Sequence, residues 1–95
     1  MTPEGKVKKR VKDVLKSLGA YYAMPVGGGF GNSGVPDFLI CMSGTFVGIE
    51  TKANGGKPTA LQEKNLEQIR QAGGVALVID EKNVTELETI LRNIK

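Results

Sequence analysis

The chain has 95 residues, 40% of them apolar, which fits one small domain over residues 1–95 with a modest core. It contains no histidine and one cysteine, which excludes Ser-His catalysis, histidine-ligated zinc and an internal disulfide framework. The net charge is +3. Because the sequence shows neither a membrane span nor a signal peptide, we expect a cytoplasmic protein.

The positive charge is concentrated near the start of the chain. Six of the 13 basic residues lie between Lys6 and Lys16, against two acidic residues, Glu4 and Asp13, in the same region. Clustered lysine and arginine fit a nucleic-acid partner. A solvated helix face explains the same charges equally well.

The first predicted element is a helix capped by Thr2, with Pro3 at its first position and Gly19 at its end. Its apolar residues recur at helical spacing: Val7, Val11, Val14, Leu15 and Leu18. Glu4 lies in line with this apolar stripe. It either interacts with the helix dipole or supplies a carboxylate to a functional site.

A short strand over 20–26 is followed by a glycine-rich loop over 27–34. The spacing of Gly29, Gly31 and Gly34 matches the dinucleotide-binding pattern. That pattern must open a helix, whereas here the chain leads into a strand, so we reject a dinucleotide site. The loop either lets a backbone such as a DNA phosphate strand approach closely or is a mobile linker without a ligand role.

The two strand-like runs 36–42 and 45–51 are separated by the turn dipeptide Ser43-Gly44, which predicts a β-hairpin. With a two-residue loop, Asp37 falls opposite Glu50, about 5 Å away on the same face, and Lys52 shares that face. A slip of one residue would move Asp37 to the opposite face. The register therefore determines whether these three charges form a site.

Directly opposed carboxylates repel, which indicates that a cation belongs between them. Asp37 and Glu50 supply the hard oxygen ligands that suit Mg²⁺ or Mn²⁺, and the backbone carbonyl of Thr51 could add a third ligand. Lys52 could orient a water for attack on phosphorus and neutralise charge in the transition state. The expected product is a cleaved phosphodiester.

Thr59 begins a second predicted helix, which ends at Gly73-Gly74. Gln62 either completes a capping box with Thr59 or points towards the charged end of the hairpin. An apolar run over 75–79 predicts a strand in parallel pairing, and Asn83-x-x-Glu86 is expected to cap a last helix.

The predicted fold is thus a small α/β domain in the order α-β-β-β-α-β-α. A mixed sheet contains a central antiparallel hairpin and is flanked by helices. Cys41 lies in an apolar strand, where we expect it to belong to the core rather than to bind a ligand.

Beyond these patterns, the chain resembles the virus-type replication-repair nuclease (VRR-NUC) domain of the PD-(D/E)XK nuclease superfamily. The resemblance is carried by Glu4, by segments 34–37 and 46–52, and by the segment that ends at Gln62. It implies that Glu4 is a first-helix acid, Asp37 and Glu50 bind metal, Lys52 is catalytic and Gln62 assists the site. Many relatives have valine where this chain has Thr51, a β-branched replacement that leaves the carbonyl in place.

The resemblance implies a restriction-endonuclease-like fold and a DNA endonuclease dependent on Mg²⁺ or Mn²⁺, without an organic cofactor or a membrane partner. It also makes a viral or phage origin inside a host cell one option. It also implies a role in DNA repair and a homodimer that acts on branched DNA such as Holliday junctions. Two other hypotheses stay open from the residues alone. One is a non-catalytic nucleic-acid-binding module, and the other is an interaction domain without a nucleic-acid role.

Overall fold

A computed structural model describes residues 1–26 and 34–94. The elements follow the predicted order: α1 Pro3–Leu18, β1 Tyr21–Ala23, β2 Phe38–Met42, β3 Thr45–Thr51, α2 Ala60–Gln71, β4 Val75–Ile79, a 3-10 turn Val84–Glu86 and α3 Leu87–Arg92. Strand β1 is shorter than predicted. The predictions for Gly29 and Gly31 lie outside the described residues, and none of the described helices is long and apolar enough to cross a membrane.

Helix α1 has the predicted ends. The Thr2 hydroxyl accepts a hydrogen bond from the Gly5 N–H, and Gly19 adopts the left-handed conformation with φ of 68° that ends a helix. Its buried residues Val7, Val11 and Leu15 lie at the predicted spacing. The ends of α1 and the side that it buries are therefore set by local sequence.

The sheet has the strand order β1-β2-β3-β4, with β3 and β4 parallel and the other pairs antiparallel. Met42 pairs with Thr45 and Phe38 with Ile49, which confirms the predicted hairpin register. Ser43 and Gly44 have φ of 52° and 76°, the positive values of a two-residue type I′ turn. This turn matches the twist of the strands and so fixes the register of the whole hairpin.

Helices cover the two sheet faces unequally. Helices α1 and α3 cover one face of the sheet, and the main core lies between them and that face. Its buried residues are Val7, Val11, Leu15, Phe38, Ile40, Val47, Ile49, Ile79, Val84, Leu87 and Leu91. Helix α2 contacts β3 and β4 on the other face. The β1–β2 part of this second face therefore carries no helix among the described elements.

Cys41 lies on this second face and is exposed, so the expectation that it belongs to the core is wrong. It pairs with Tyr21 on one side and Phe46 on the other, and both aromatic residues are also exposed. An apolar strand segment does not reveal which of its faces a helix will cover. That depends on where α2 packs, which is a tertiary property.

Asn83 does not cap the last helix, contrary to prediction. Its side chain accepts a hydrogen bond from the Asp80 N–H and donates one to the Val78 carbonyl. These hydrogen bonds stabilise the turn after β4. The chain then enters α3 through a 3-10 turn without a side-chain cap. Asparagine favours both roles, so the sequence pattern could not distinguish them.

Gly34 allows a close contact between the segment before β2 and the start of α2. It has φ of 81°, and a Cβ at this position would lie 2.7 Å from the Leu61 carbonyl group and 2.9 Å from the Gln62 nitrogen. The backbone that approaches Gly34 is therefore that of α2, which positions the helix relative to Asp37.

We expect Gly34→Ala to destabilise the fold more than Gly44→Ala. Both glycines have positive φ, which costs an alanine about 1 kcal/mol, but a Cβ on Gly44 meets no atom within 4 Å. The backbone overlap at Gly34 should add at least about 1 kcal/mol. Urea unfolding of both variants measures the difference, and equal losses would contradict the proposed close contact.

Candidate functional site

The predicted charged residues meet at the end of the β2–β3 hairpin away from its turn. Asp37 directly precedes β2, Glu50 is near the end of β3, and Lys52 follows that strand. The paired register ends at Phe38 and Ile49, and Asp37 and Glu50 are the next residues along the two segments. Strand pairing thus brings the three residues to one end of the hairpin.

The Asp37 carboxylate extends the hairpin ladder beyond its last residue pair. Its Oδ2 accepts a hydrogen bond of 2.9 Å from the Thr51 N–H and a second from the Thr51 hydroxyl. Its Oδ1 lies 3.9 Å from the Nζ of Lys8. The carboxylate is therefore anchored through one oxygen, while the other faces the positive charge on α1.

Glu50 is buried, with 2% of its surface exposed. Its Oε2 lies 3.5 Å from the Lys52 Nζ, whereas its Oε1 has no hydrogen-bond partner among the described residues. Burial, and next the charge of Asp37, raise the pKa of Glu50 to about 7, although Lys52 opposes the shift. Such an unpartnered buried oxygen is costly unless it binds another group.

Lys52 is held close to Glu50 from both ends. Its N–H donates to the Ile79 carbonyl on β4, and its side chain is 14% exposed. The mostly buried ammonium of Lys52 compensates part of the negative charge of the buried Glu50 carboxylate. The lysine head group is consequently fixed at the site rather than extended into solvent.

Lys8 links Glu4 to the site, a contact that the sequence analysis missed. Its Nζ lies 3.5 Å from Glu4 Oε2, one helical turn away, as well as near Asp37. Glu4 is close enough for its charge to contribute to the raised pKa of Glu50. The four-residue spacing of Glu4 and Lys8 could have indicated their ion pair, but not the contact with Asp37.

Gln62 forms the capping box with Thr59. Its Oε1 accepts a 2.9 Å hydrogen bond from the Thr59 N–H, and its own N–H donates to the Thr59 hydroxyl. Among the described residues, the structure records no hydrogen bond from Gln62 to Asp37, Glu50 or Lys52. Its role in the site therefore stays a prediction.

The donor set fits a hard divalent cation. Among the described residues Glu50 Oε1 has no hydrogen-bond partner, and Asp37 Oδ1 is not used by the Thr51 hydrogen bonds. The Thr51 backbone carbonyl stays a predicted third ligand. In the described ranges, no three His, Cys, Asp or Glu side chains form a complete metal cage, so a cation here would rely on two carboxylates, backbone and water.

We expect the free energy of unfolding of the metal-free protein to fall as pH rises from about 4.5 to about 7. The folded chain keeps the proton on Glu50 in this window and the unfolded chain loses it, which amounts to about 3 kcal/mol at most. Urea unfolding in EDTA should show a weaker pH dependence for Glu50→Gln, but not for the exposed control Glu63→Gln. An unchanged pH dependence in Glu50→Gln would refute the assignment.

Comparison with known proteins identifies the family. No family model matches the chain, and no curated protein matches its sequence. A solved VRR-NUC domain is 30% identical, with a TM-score of 0.78 over 92% of this chain and 95% of its own. A second solved VRR-NUC domain protein is 16% identical and shares the fold, with a TM-score of 0.68 over 90% of this chain and 84% of its own. The chain therefore belongs to the VRR-NUC family of nuclease domains in the PD-(D/E)XK superfamily.

Proposed function

We propose that the protein is a DNA endonuclease that hydrolyses phosphodiester bonds with Mg²⁺ or Mn²⁺. The observation that carries this proposal is the buried Glu50 carboxylate near Asp37 and Lys52, whose Oε1 has no hydrogen-bond partner in the part of the chain that the structure describes. A purely structural ion pair would satisfy both carboxylate oxygens. The arrangement is that of a site completed by a further cation.

Asp37 Oδ1, Glu50 and the Thr51 carbonyl would hold the cation. When bound, it would polarise a phosphoryl oxygen and lower the pKa of a coordinated water. Its charge would also favour the ionised form of Glu50. This gives the unpartnered oxygen a chemical role.

Lys52 would position the attacking water and neutralise negative charge on the phosphate in the transition state. Its Nζ has three donors, and Glu50 Oε2, at 3.5 Å, faces them from one side. Glu4 would add a carboxylate at the edge of the site, where its ion pair with Lys8 holds it. Gln62 would contact the site through its side-chain NH₂ group, because its side-chain oxygen accepts the hydrogen bond of the helix cap.

A basic groove along α1 provides a path for the DNA backbone. It has a volume of about 440 Å³ and is lined by Met1, Gly5, Lys8, Lys9, Lys12, Asp13, Lys16 and Met24. Lys8, Lys12 and Lys16 recur every four residues, so they form a row on one side of the helix. Because Lys8 also faces Asp37, this row leads from the groove to the carboxylates.

The proposal includes a preference for branched DNA, such as Holliday junctions, a role in DNA repair and action as a homodimer. A two-fold symmetric dimer would present two identical sites to two symmetry-related strands. Cleavage of branched, linear and single-stranded DNA, together with the mass of the protein in solution, tests these features.

We expect cleavage to require Mg²⁺ or Mn²⁺ and to fall at least about 100-fold in Lys52→Ala, because the lysine acts on the reacting phosphate. Lys64→Ala is the matched control, since Lys64 is exposed on α2. Gel analysis of the three DNA types, with and without EDTA, provides the measurement. Cutting without metal, or undiminished cutting by Lys52→Ala, would refute the mechanism; metal-independent binding without any cleavage would favour the non-catalytic binding module.

We expect Lys12→Ala and Lys16→Ala to weaken DNA binding and its dependence on salt. Each lost phosphate contact should reduce the slope of log affinity against log salt by about 0.9. Binding is measured in EDTA across a salt series, again with Lys64→Ala as the control. If all three variants lose the same slope, the groove along α1 is not the DNA path.

A further inference from the structure

Thr51 makes a side-chain contact that its backbone role does not require. The residue is fully buried, at 0% exposure, yet its hydroxyl is directed at a carboxylate rather than at a backbone carbonyl. Both its N–H and its hydroxyl donate to the same oxygen, Oδ2 of Asp37. One residue thus supplies two donors to one atom of the site.

This double contact determines how Asp37 can bind a metal. A carboxylate oxygen has about two lone-pair positions, and two donors occupy those of Oδ2. Oδ1, at 3.9 Å from the Lys8 ammonium, is then the oxygen left for a cation. Asp37 is held as a ligand that offers one oxygen.

Ligands that offer one oxygen distinguish small from large divalent cations. Mg²⁺ requires near-ideal octahedral geometry, whereas Ca²⁺ accepts six to eight oxygens and readily takes both oxygens of a carboxylate. A valine at position 51 would keep the N–H donor but leave one lone pair of Oδ2 free. The carboxylate could then turn both oxygens towards a cation.

We propose that the Thr51 hydroxyl is a positioning group that restricts Asp37 to one ligand oxygen and so favours Mg²⁺ or Mn²⁺ over Ca²⁺. This inference rests on the proposed function, because it assumes a divalent cation at Asp37 and Glu50. It concerns the choice of cation and not the cleavage step. It can therefore be tested without DNA.

The test compares Thr51→Val, which keeps the shape and removes the hydroxyl, with Thr51→Ser, which keeps the hydroxyl. Titration calorimetry of the full chain with Mn²⁺ and with Ca²⁺ gives the ratio of the two affinities. We expect this ratio to fall about tenfold in Thr51→Val, the effect of about one hydrogen bond to a charged group, and to stay near wild type in Thr51→Ser. A general loss of packing would lower both affinities and leave the ratio unchanged.

An unchanged ratio in Thr51→Val, or an equal fall in Thr51→Ser, would overturn the inference. If Thr51→Val does not fold, Thr51→Ala replaces it, because alanine and serine create similar cavities and differ in the hydroxyl. If the ratio falls in Thr51→Val and not in Thr51→Ser, while the wild-type chain cleaves no DNA, the proposed function is refuted and the role of Thr51 is supported. A wild-type chain that binds neither cation overturns both.

Discussion

The burial of the Glu50 carboxylate is the constraint on which the rest of the site depends. A carboxylate in a sheet interior loses its hydration, and the nearby Asp37 adds repulsion, so its pKa is raised to about 7. The Lys52 ammonium lies near Glu50 Oε2 and compensates part of the carboxylate charge. The other oxygen, Oε1, has no hydrogen-bond partner among the described residues. The ionised Glu50 carboxylate is therefore unfavourable in the metal-free protein, and a bound cation would stabilise it.

The sheet makes this unfavourable arrangement rigid. The type I′ turn at Ser43 and Gly44 fixes the hairpin register, and the Asp37–Thr51 hydrogen bonds extend it to the end of the strand. The parallel pairing of β3 with β4 supports the strand from its other side. Glu50 consequently lies on a regular strand, and Asp37 and Lys52 lie directly beside strand ends, which holds the charged groups more precisely than a long loop would.

Local sequence was sufficient to predict most of the fold and the hairpin register that brings Asp37, Glu50 and Lys52 to one end of the strands. Helix α1 is bounded by Thr2 and Gly19 through contacts within a few residues, and strand alternation with a two-residue turn determines which residues oppose one another. These signals depend on backbone geometry that neighbouring residues control. They could therefore be read without the tertiary structure.

The missed features depend on which elements pack together. The approach of Lys8 to Asp37 requires the position of α1 on the sheet, and the exposure of Cys41 requires the limited coverage by α2. In the sequence, Thr51 looks like a neutral replacement for valine. The partner of its hydroxyl, Asp37, lies 14 residues away, so no neighbouring residue indicates the contact. Such long-range contacts leave no periodic signal.

The function proposed for this site requires Asp37 and Glu50 to bind a divalent cation together. Anomalous diffraction from crystals soaked in Mn²⁺ locates the ion without depending on any activity. We expect one strong peak within about 2.5 Å of Asp37 Oδ1 and of a Glu50 carboxylate oxygen. Mn²⁺ bound elsewhere, with Glu50 still paired to Lys52 and no peak beside Asp37, would contradict it.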